Sequence, residues 1–142
     1  MERVGWPACG EIDIMEYYTG TVLANVCHGL LGKQKWTTTK RPIAEMDGEA
    51  WSKQFHVWTM EWNEHQIDLL LDAKLLTHFV IMDDDDSAKA AFRNPQYILL
   101  NQAIGSTGGD PTKTEFPVRL EVDWVRVHAV MRDPPDLRAI VR

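Results

Sequence analysis

The sequence lacks what a membrane span, a nucleic-acid-binding face or a disulfide framework would need. No run of about 18 apolar residues occurs. The start, MERVGWPACG, has neither the basic residues nor the apolar core of a signal peptide. Lys and Arg number 15 against 21 Asp and Glu, leaving a net charge of −6 and a pI near 5.3. That balance opposes a nucleic-acid partner, which needs a basic face to neutralise phosphates. Two cysteines, Cys9 and Cys27, sit outside any C-x-x-C spacing, so neither a zinc site nor a multi-bridge scaffold is indicated. One bridge between them and two free buried thiols both remain open. Helical windows are few, and there is no internal repeat or domain linker.

What the sequence does carry is the period of a sheet. Its 142 residues, 44% hydrophobic and 25% charged, make roughly one globular domain. Residues 9–18, 22–29, 55–62, 66–72, 75–82, 96–104 and 118–130 are short, apolar or alternating, and rich in Val, Ile, Trp, Tyr and Phe. Gly, Pro, Asn and Asp punctuate them in YTGT, TTTKRP, MDGEA, WNEH, LDAK, RNPQ and GSTGGDPTKTEFP. Short strands at regular spacing predict an all-β antiparallel sandwich or barrel. The acidic run 83–86 leads into SAKAAF, where one helical turn is expected. It lacks the alternating ligands and turn glycine of a calcium loop. Lys33, Lys35, Lys40 and Arg41 read as a solvated loop that could meet an anionic ligand.

One stretch, GWPACGEIDIMEYY, places Glu11, Asp13 and Glu16 inside six residues of a strand-forming segment. In a regular strand Glu11 and Asp13 share a face and Glu16 points the other way. A single-residue bulge near Ile14 and Met15 would bring Glu16 onto the acidic face and leave Ile12 and Ile14 for the core. Three crowded carboxylates are costly, because like charges a few ångströms apart resist joint ionisation. The arrangement suits retaining glycoside hydrolysis, in which carboxyls about 5 to 5.5 Å apart act as nucleophile and general acid. Asp13 between them can share a proton and hold their pKa values apart. On spacing alone, an exposed strand with an acidic face is an equal alternative.

The flanks favour chemistry. WPACGEIDIMEY closely resembles the bulged E-x-D-x-x-E active-site strand of glycoside hydrolase family 16, in the form found in laminarinases and in many agarases and carrageenases. FHVWTMEWNEHQIDLLLD, PQYILLNQAIGSTGGDP and FPVRLEVDWVRVH resemble three further family motifs, in order, so the likeness is colinear from about Gly5 to His128. The resemblance implies a concanavalin A-like jelly-roll sandwich. It implies Glu11 as catalytic nucleophile, Glu16 as general acid and base, and Asp13 as the assisting carboxylate. Trp6 matches a cleft-edge tryptophan suited to stacking on a sugar ring. His28 falls where relatives carry a histidine toward the leaving-group side; a strand histidine satisfied by backbone is the alternative. Asn101 and Gln102 are candidate hydroxyl partners, although neighbours in a strand point opposite ways. Trp36, Trp51, Trp58 and Trp124 are expected to pack rather than to hold sugar. Asp123 matches a donor to the structural calcium of many relatives, and the chemistry itself needs no cofactor.

The implied function is a retaining endo-β-glucan hydrolase acting on β-1,3- or mixed β-1,3-1,4-glucan. The alternatives are a hydrolase of algal galactans and an inactive or carbohydrate-binding remnant. The partner is a polysaccharide, with no nucleic acid or membrane, and family resemblance points to secretion or the periplasm. The family's domain begins well before its active-site strand, so residues 1–130 are expected to be a partial, C-terminal portion of the sandwich. Apolar faces left uncovered would invite a homo-oligomer. Ala73 stands where an Asp-Gly hairpin is expected. Residues 131–142 form a tail without counterpart in the family.

Overall fold

The computed structural model describes residues 4–129. The chain forms two compact units that divide between Thr112 and Lys113. The first holds six strands in two antiparallel sheets. Strands β1 (Glu11–Tyr18), β2 (Thr21–Leu30) and β3 (Lys33–Pro42) form one, in the order β1-β2-β3. Strands β4 (Trp58–Trp62), β5 (Gln66–Leu71) and β6 (Lys74–Val80) form the other, in the order β4-β5-β6. Two short helices, α1 (Gly48–Trp51) and α2 (Asp86–Phe92), accompany them.

Local chemistry accounts for the connections. Tyr18 pairs with Thr21 across a two-residue turn, with Thr19 and Gly20 both at positive φ. Leu71 pairs with Lys74 across another, with Asp72 at +48° and Ala73 at +62°. Such turns match the right-handed twist of the strands they join. The turn at 72–73 is therefore as tight as an Asp-Gly hairpin despite its alanine. Asp72 anchors it: Oδ1 accepts from Val57 N (2.9 Å) and Oδ2 meets His56 Nδ1 (2.8 Å).

β2 and β5 are the central strands, and their alternating apolar residues build the core. Ala24 and Val26 meet Ile67 and Leu69, with Ile81 and the α2 residues Ala88, Ala91 and Phe92 closing over them. Ile12 and Ile14 pack against this cluster, as the sequence predicts. The sheets are also pinned by hydroxyls: Thr77 Oγ1 donates to Ala24 O (2.9 Å) and Thr39 Oγ1 to Leu76 O (2.8 Å). Helix α2 is capped by Asp85, whose carboxylate accepts from Ala88 N (3.1 Å). Cys9 and Cys27 are both free thiols.

Three expectations need correction. The basic segment from Lys33 to Arg41 is strand β3, not a loop; its threonines at 37, 38 and 39 favour a pleated edge over a solvated turn. Residues 9–10 belong to a tight turn and β1 begins at Glu11, with Cys9 N donating to Gly5 O (3.2 Å) and Gly10 N to Pro7 O (3.0 Å). Residues 96–104 and 118–129 form no ladder, although both keep an apolar pattern. Tyr97, Leu99 and Leu100 are well exposed, as are Val118, Leu120, Val122 and Trp124 in the second unit. A period of two marks a face; a strand also needs a neighbour for its N–H and C=O groups. In that second unit the Arg126 guanidinium lies 4.6 Å from the centre of the Trp124 ring. The tail 131–142 lies outside the described residues.

Candidate active site

The acidic segment is bulged where its spacing requires. Asp13 pairs with Asn25 and Glu16 with Leu23, so two residues of β1, Ile14 and Met15, sit against the single Ala24. Glu11, Asp13 and Glu16 consequently share the sheet face that points away from the core. Gly10, at φ +78°, leads the chain into this strand, and a Cβ there would lie 2.8 Å from Phe92 Cε1. Glycine is the residue that fits.

The register extends each acid into a row across the sheet. Glu11 lines up with Cys27 and Trp36, Asp13 with Asn25 and Thr38, and Glu16 with Leu23 and Lys40. At about 4.8 Å between strands, Trp36 and Lys40 stand roughly 10 Å from the acidic strand. Together with Tyr18, and without the buried Cys27, these rows line an open cavity of about 290 Å³. The Trp36 ring is half exposed there.

Hydrogen bonds order the carboxyls. Trp6 Nε1 donates to Glu11 Oε2 (2.6 Å) and leaves half of the indole in solvent. Asn25 Nδ2 donates to both Asp13 Oδ2 (3.1 Å) and Glu16 Oε2 (2.6 Å). Burial pushes the Asp13 carboxyl up to about 7; the Asn25 bond opposes this, and the charges of Glu11 and Glu16 reinforce it. Glu16 is also raised, by burial and then by the Glu11 charge, against the same Asn25 bond. Burial and the charges of Glu11 and Asp13 lift the Cys27 thiol to about 11, so it stays protonated behind the acids. One acid that keeps its proton near neutrality, beside others that can ionise, is the equipment of acid–base and nucleophilic chemistry at one bond.

The family model described as Glycosyl hydrolases family 16 matches residues 2–126. The chain belongs to glycosyl hydrolase family 16. Among family 16 relatives and structures similar to it is a beta-glucanase of Rhodothermus marinus, 31% identical over 137 residues, with 87% of this chain and 46% of the relative covered. A keratan-sulfate endo-1,4-beta-galactosidase of Sphingobacterium multivorum is 28% identical, with 87% of this chain and 29% of the relative covered. The crystal structure of a mutant of SCLam, a non-specific endo-beta-1,3(4)-glucanase with an oligosaccharide at its active site, matches with a TM-score of 0.60 and 28% identity. That match covers 75% of this chain and 41% of the solved one. The chain thus spans less than half the length of these relatives.

Within this family 16 chain, the structure brings Glu11, Asp13, Glu16 and Trp6 together. It does not bring His28 with them. Ala24, Val26 and His28 alternate onto the core face of β2, opposite to Asn25 and Cys27. The His28 ring is buried edge-on against Phe79 and Phe92, and Nδ1 meets Ser87 Oγ at 2.9 Å. Its partner is a side chain rather than the backbone. Asn101 and Gln102 are exposed in a segment without a ladder and do not line the cavity. Asp123 is exposed in the second unit, and among the described residues no group of three His, Cys, Asp or Glu side chains could hold a metal ion.

Sequence reasoning missed Asn25 and Thr38, and it placed Lys40 in a loop that could meet an anionic ligand rather than on a strand of the cavity wall. Asn25 has a signal in hindsight, as the one amide inside the apolar run TVLANVC. The β3 residues were hidden by reading a strand as a loop. Trp36, expected to pack, is instead part of the cavity wall.

Proposed function

We propose that this chain carries the catalytic strand of a retaining endo-β-glucan hydrolase acting on β-1,3- or mixed β-1,3-1,4-linked polymer. The observation that supports this most directly is the bulge that sets Glu11, Asp13 and Glu16 on one sheet face. Glu11, oriented by the Trp6 indole N–H, attacks the anomeric carbon as the leaving oxygen takes a proton from Glu16. The C–O bond breaks and a glycosyl ester forms on Glu11. Glu16, now ionised, removes a proton from water, which displaces Glu11 and restores the original configuration. The raised proton affinity of Glu16 suits the acid half of this cycle. Asp13, protonated up to about neutral pH, separates two carboxylates that would otherwise repel. The exposed Trp36 offers an apolar platform for a sugar ring, and Trp6 a second. A polymer of this kind is met outside the cell, so the site of action is extracellular or periplasmic.

The test is release of reducing ends from laminarin by the purified chain, paired with Glu11→Gln and Glu16→Gln. Each variant should lose about 10³-fold or more, and NMR of the first product should show the β-anomer. A rate unchanged in Glu11→Gln removes it as nucleophile. Binding of laminarin without cleavage by any form indicates a carbohydrate-binding remnant.

Lys40 favours a second reading. It is the cation of the cavity wall, in line with Glu16, and one relative is named for keratan sulfate. A sulfated galactan could place its anionic group there. Cleavage of a sulfated polymer in preference to laminarin, lost in Lys40→Met, would select this alternative.

A further inference from the structure

Asn25 stands at the middle of the acid row, yet its strand neighbours show what stability alone would choose there. Residues 22–27 read Val, Leu, Ala, Asn, Val, Cys, and all are buried. Asn25 is 3% exposed. Its Oδ1 is buried and meets no donor among the described residues. An orphaned buried acceptor is destabilising, and an aliphatic side chain of similar size would avoid that cost. The compensation lies at the other end of the amide. Nδ2 has two hydrogens, and two carboxyls stand before it, Asp13 Oδ2 at 3.1 Å and Glu16 Oε2 at 2.6 Å.

We propose that Asn25 is a positioning residue of this site: one amide nitrogen on the middle strand clasps Asp13 and Glu16 together across the bulge and sets how the two share a proton. The bulge lengthens β1 locally by one residue, and without a common donor nothing in the ladder fixes the separation of these carboxyls. Each N–H···O bond favours the ionised form of its acceptor. The amide therefore opposes burial and the Glu11 charge, which push both acids toward protonation. The other titratable groups facing the pair are Glu11 and Tyr18 on β1, Cys27 on β2 and Lys40 on β3. All of them are unchanged by substitution at 25. The inference rests on the hydrolase reading for its kinetic consequence alone.

The experiment is a carboxyl-carbon NMR titration of the whole chain, wild type against Asn25→Leu and Asn25→Ser, with Asp13 and Glu16 assigned by Asp13→Asn and Glu16→Gln. In Asn25→Leu both midpoints should rise, by about one pH unit each. Asn25→Ser, with one short donor, should return part of that rise for one carboxyl. Midpoints unmoved in a folded Asn25→Leu would overturn the proposal and leave Asn25 a space-filler. If Asn25→Leu does not fold, the wild-type Asn25 side-chain amide decides. Its resonances should follow the Asp13 and Glu16 midpoints, and an amide that does not move between pH 4 and pH 9 overturns the proposal. Where the wild type hydrolyses laminarin, the pH–rate profile of Asn25→Leu should shift upward with the carboxyls while KM changes less than kcat. An inactive wild type counts against the hydrolase reading, and the NMR midpoints still decide the role of Asn25.

Discussion

The two faces of strand β2 carry one buried polar side chain each, and they are built to opposite ends. On the core face His28, 2% exposed, is edge-packed by Phe79 and Phe92 and bonded to Ser87. Ser87 in turn donates to Asp85 (2.6 Å), which is paired with Lys35 (2.7 Å). Every charge in that chain has a partner of opposite sign, and the chain ties the start of α2 to the sheet. On the acid face Asn25 leaves its oxygen without a donor among the described residues and sits among three crowded carboxyls. One face is satisfied and the other is held under electrostatic strain. Strain of this kind persists where the surrounding structure over-determines it, and it gathers at functional sites.

If the core face supplies the stability that the acid face spends, breaking the core should be the costliest change. Phe92 is fully buried, packs on His28 and Phe79, and accepts a hydrogen bond from Trp62 Nε1 through its carbonyl (2.9 Å). Phe92→Ala should destabilise the fold by about 3–5 kcal/mol, read by urea denaturation. Because Gly10 lies against the same ring, the acid strand should loosen at its start. A loss below about 1 kcal/mol would mean that α2 does not anchor the sheets.

Relieving the acid face should have the reverse sign. The Asp13 carboxyl is raised from 3.8 to about 7, so its folded form holds a proton that the unfolded chain has released. Its contribution to stability is full below about pH 3.8 and is lost as pH rises through about 7. Asp13→Asn should therefore stabilise the protein at pH 8, on the order of 1–2 kcal/mol once solvent screening of the part-exposed carboxyl is allowed for, and give no such gain at pH 4. Equal stability of variant and wild type at pH 8 would show that the row carries little strain.

His28 sharpens the contrast by titrating in the other sense. Burial lowers its pKa from 6.5, aided by Lys35 and opposed by Asp85. A depressed value means stability is present above about 6.5 and lost as pH falls through the folded value. Across pH 7 to pH 5 the Asp13 contribution grows as the His28 contribution is lost, so chemical denaturation should show stability rising less on acidification in the wild type than in His28→Leu, the His28 effect being smaller than that of Asp13→Asn. The same slope in both proteins would place the acid sensitivity elsewhere.

The acid row was legible because its chemistry contradicts its period. Three carboxyls on a strand pattern that is one residue out of phase require a bulge, and the bulge is there. His28 was misplaced for a related reason. Its face is fixed by parity along β2, but parity says nothing of which face is the site until the register with β1 is known. β3 was missed because Lys and Thr on an edge strand resemble a solvated loop in composition, and edge strands use charge to resist pairing. Residues 96–104 and 118–129 erred the other way. Their apolar period was read as strand, while the ladder that makes a strand depends on partners that a local pattern does not encode.

The smallest effect tests whether strain alone, without function, behaves differently. Ala73 holds φ +62° in the β5–β6 turn, a left-handed conformation that costs a residue with a Cβ roughly 1 kcal/mol. Nothing charged in the acid row faces it, and its neighbour Asp72 already fixes the turn through Val57 and His56. Ala73→Gly should raise stability by about 0.5–1 kcal/mol, part of the relief being offset by the greater freedom of glycine in the unfolded chain. Unlike the gain from Asp13→Asn, this one should be the same at pH 4 and pH 8, since no proton is linked to it. A gain that varied with pH would mean the turn is coupled to a titrating group. Strain in the backbone and strain in the acid row could then no longer be treated as independent.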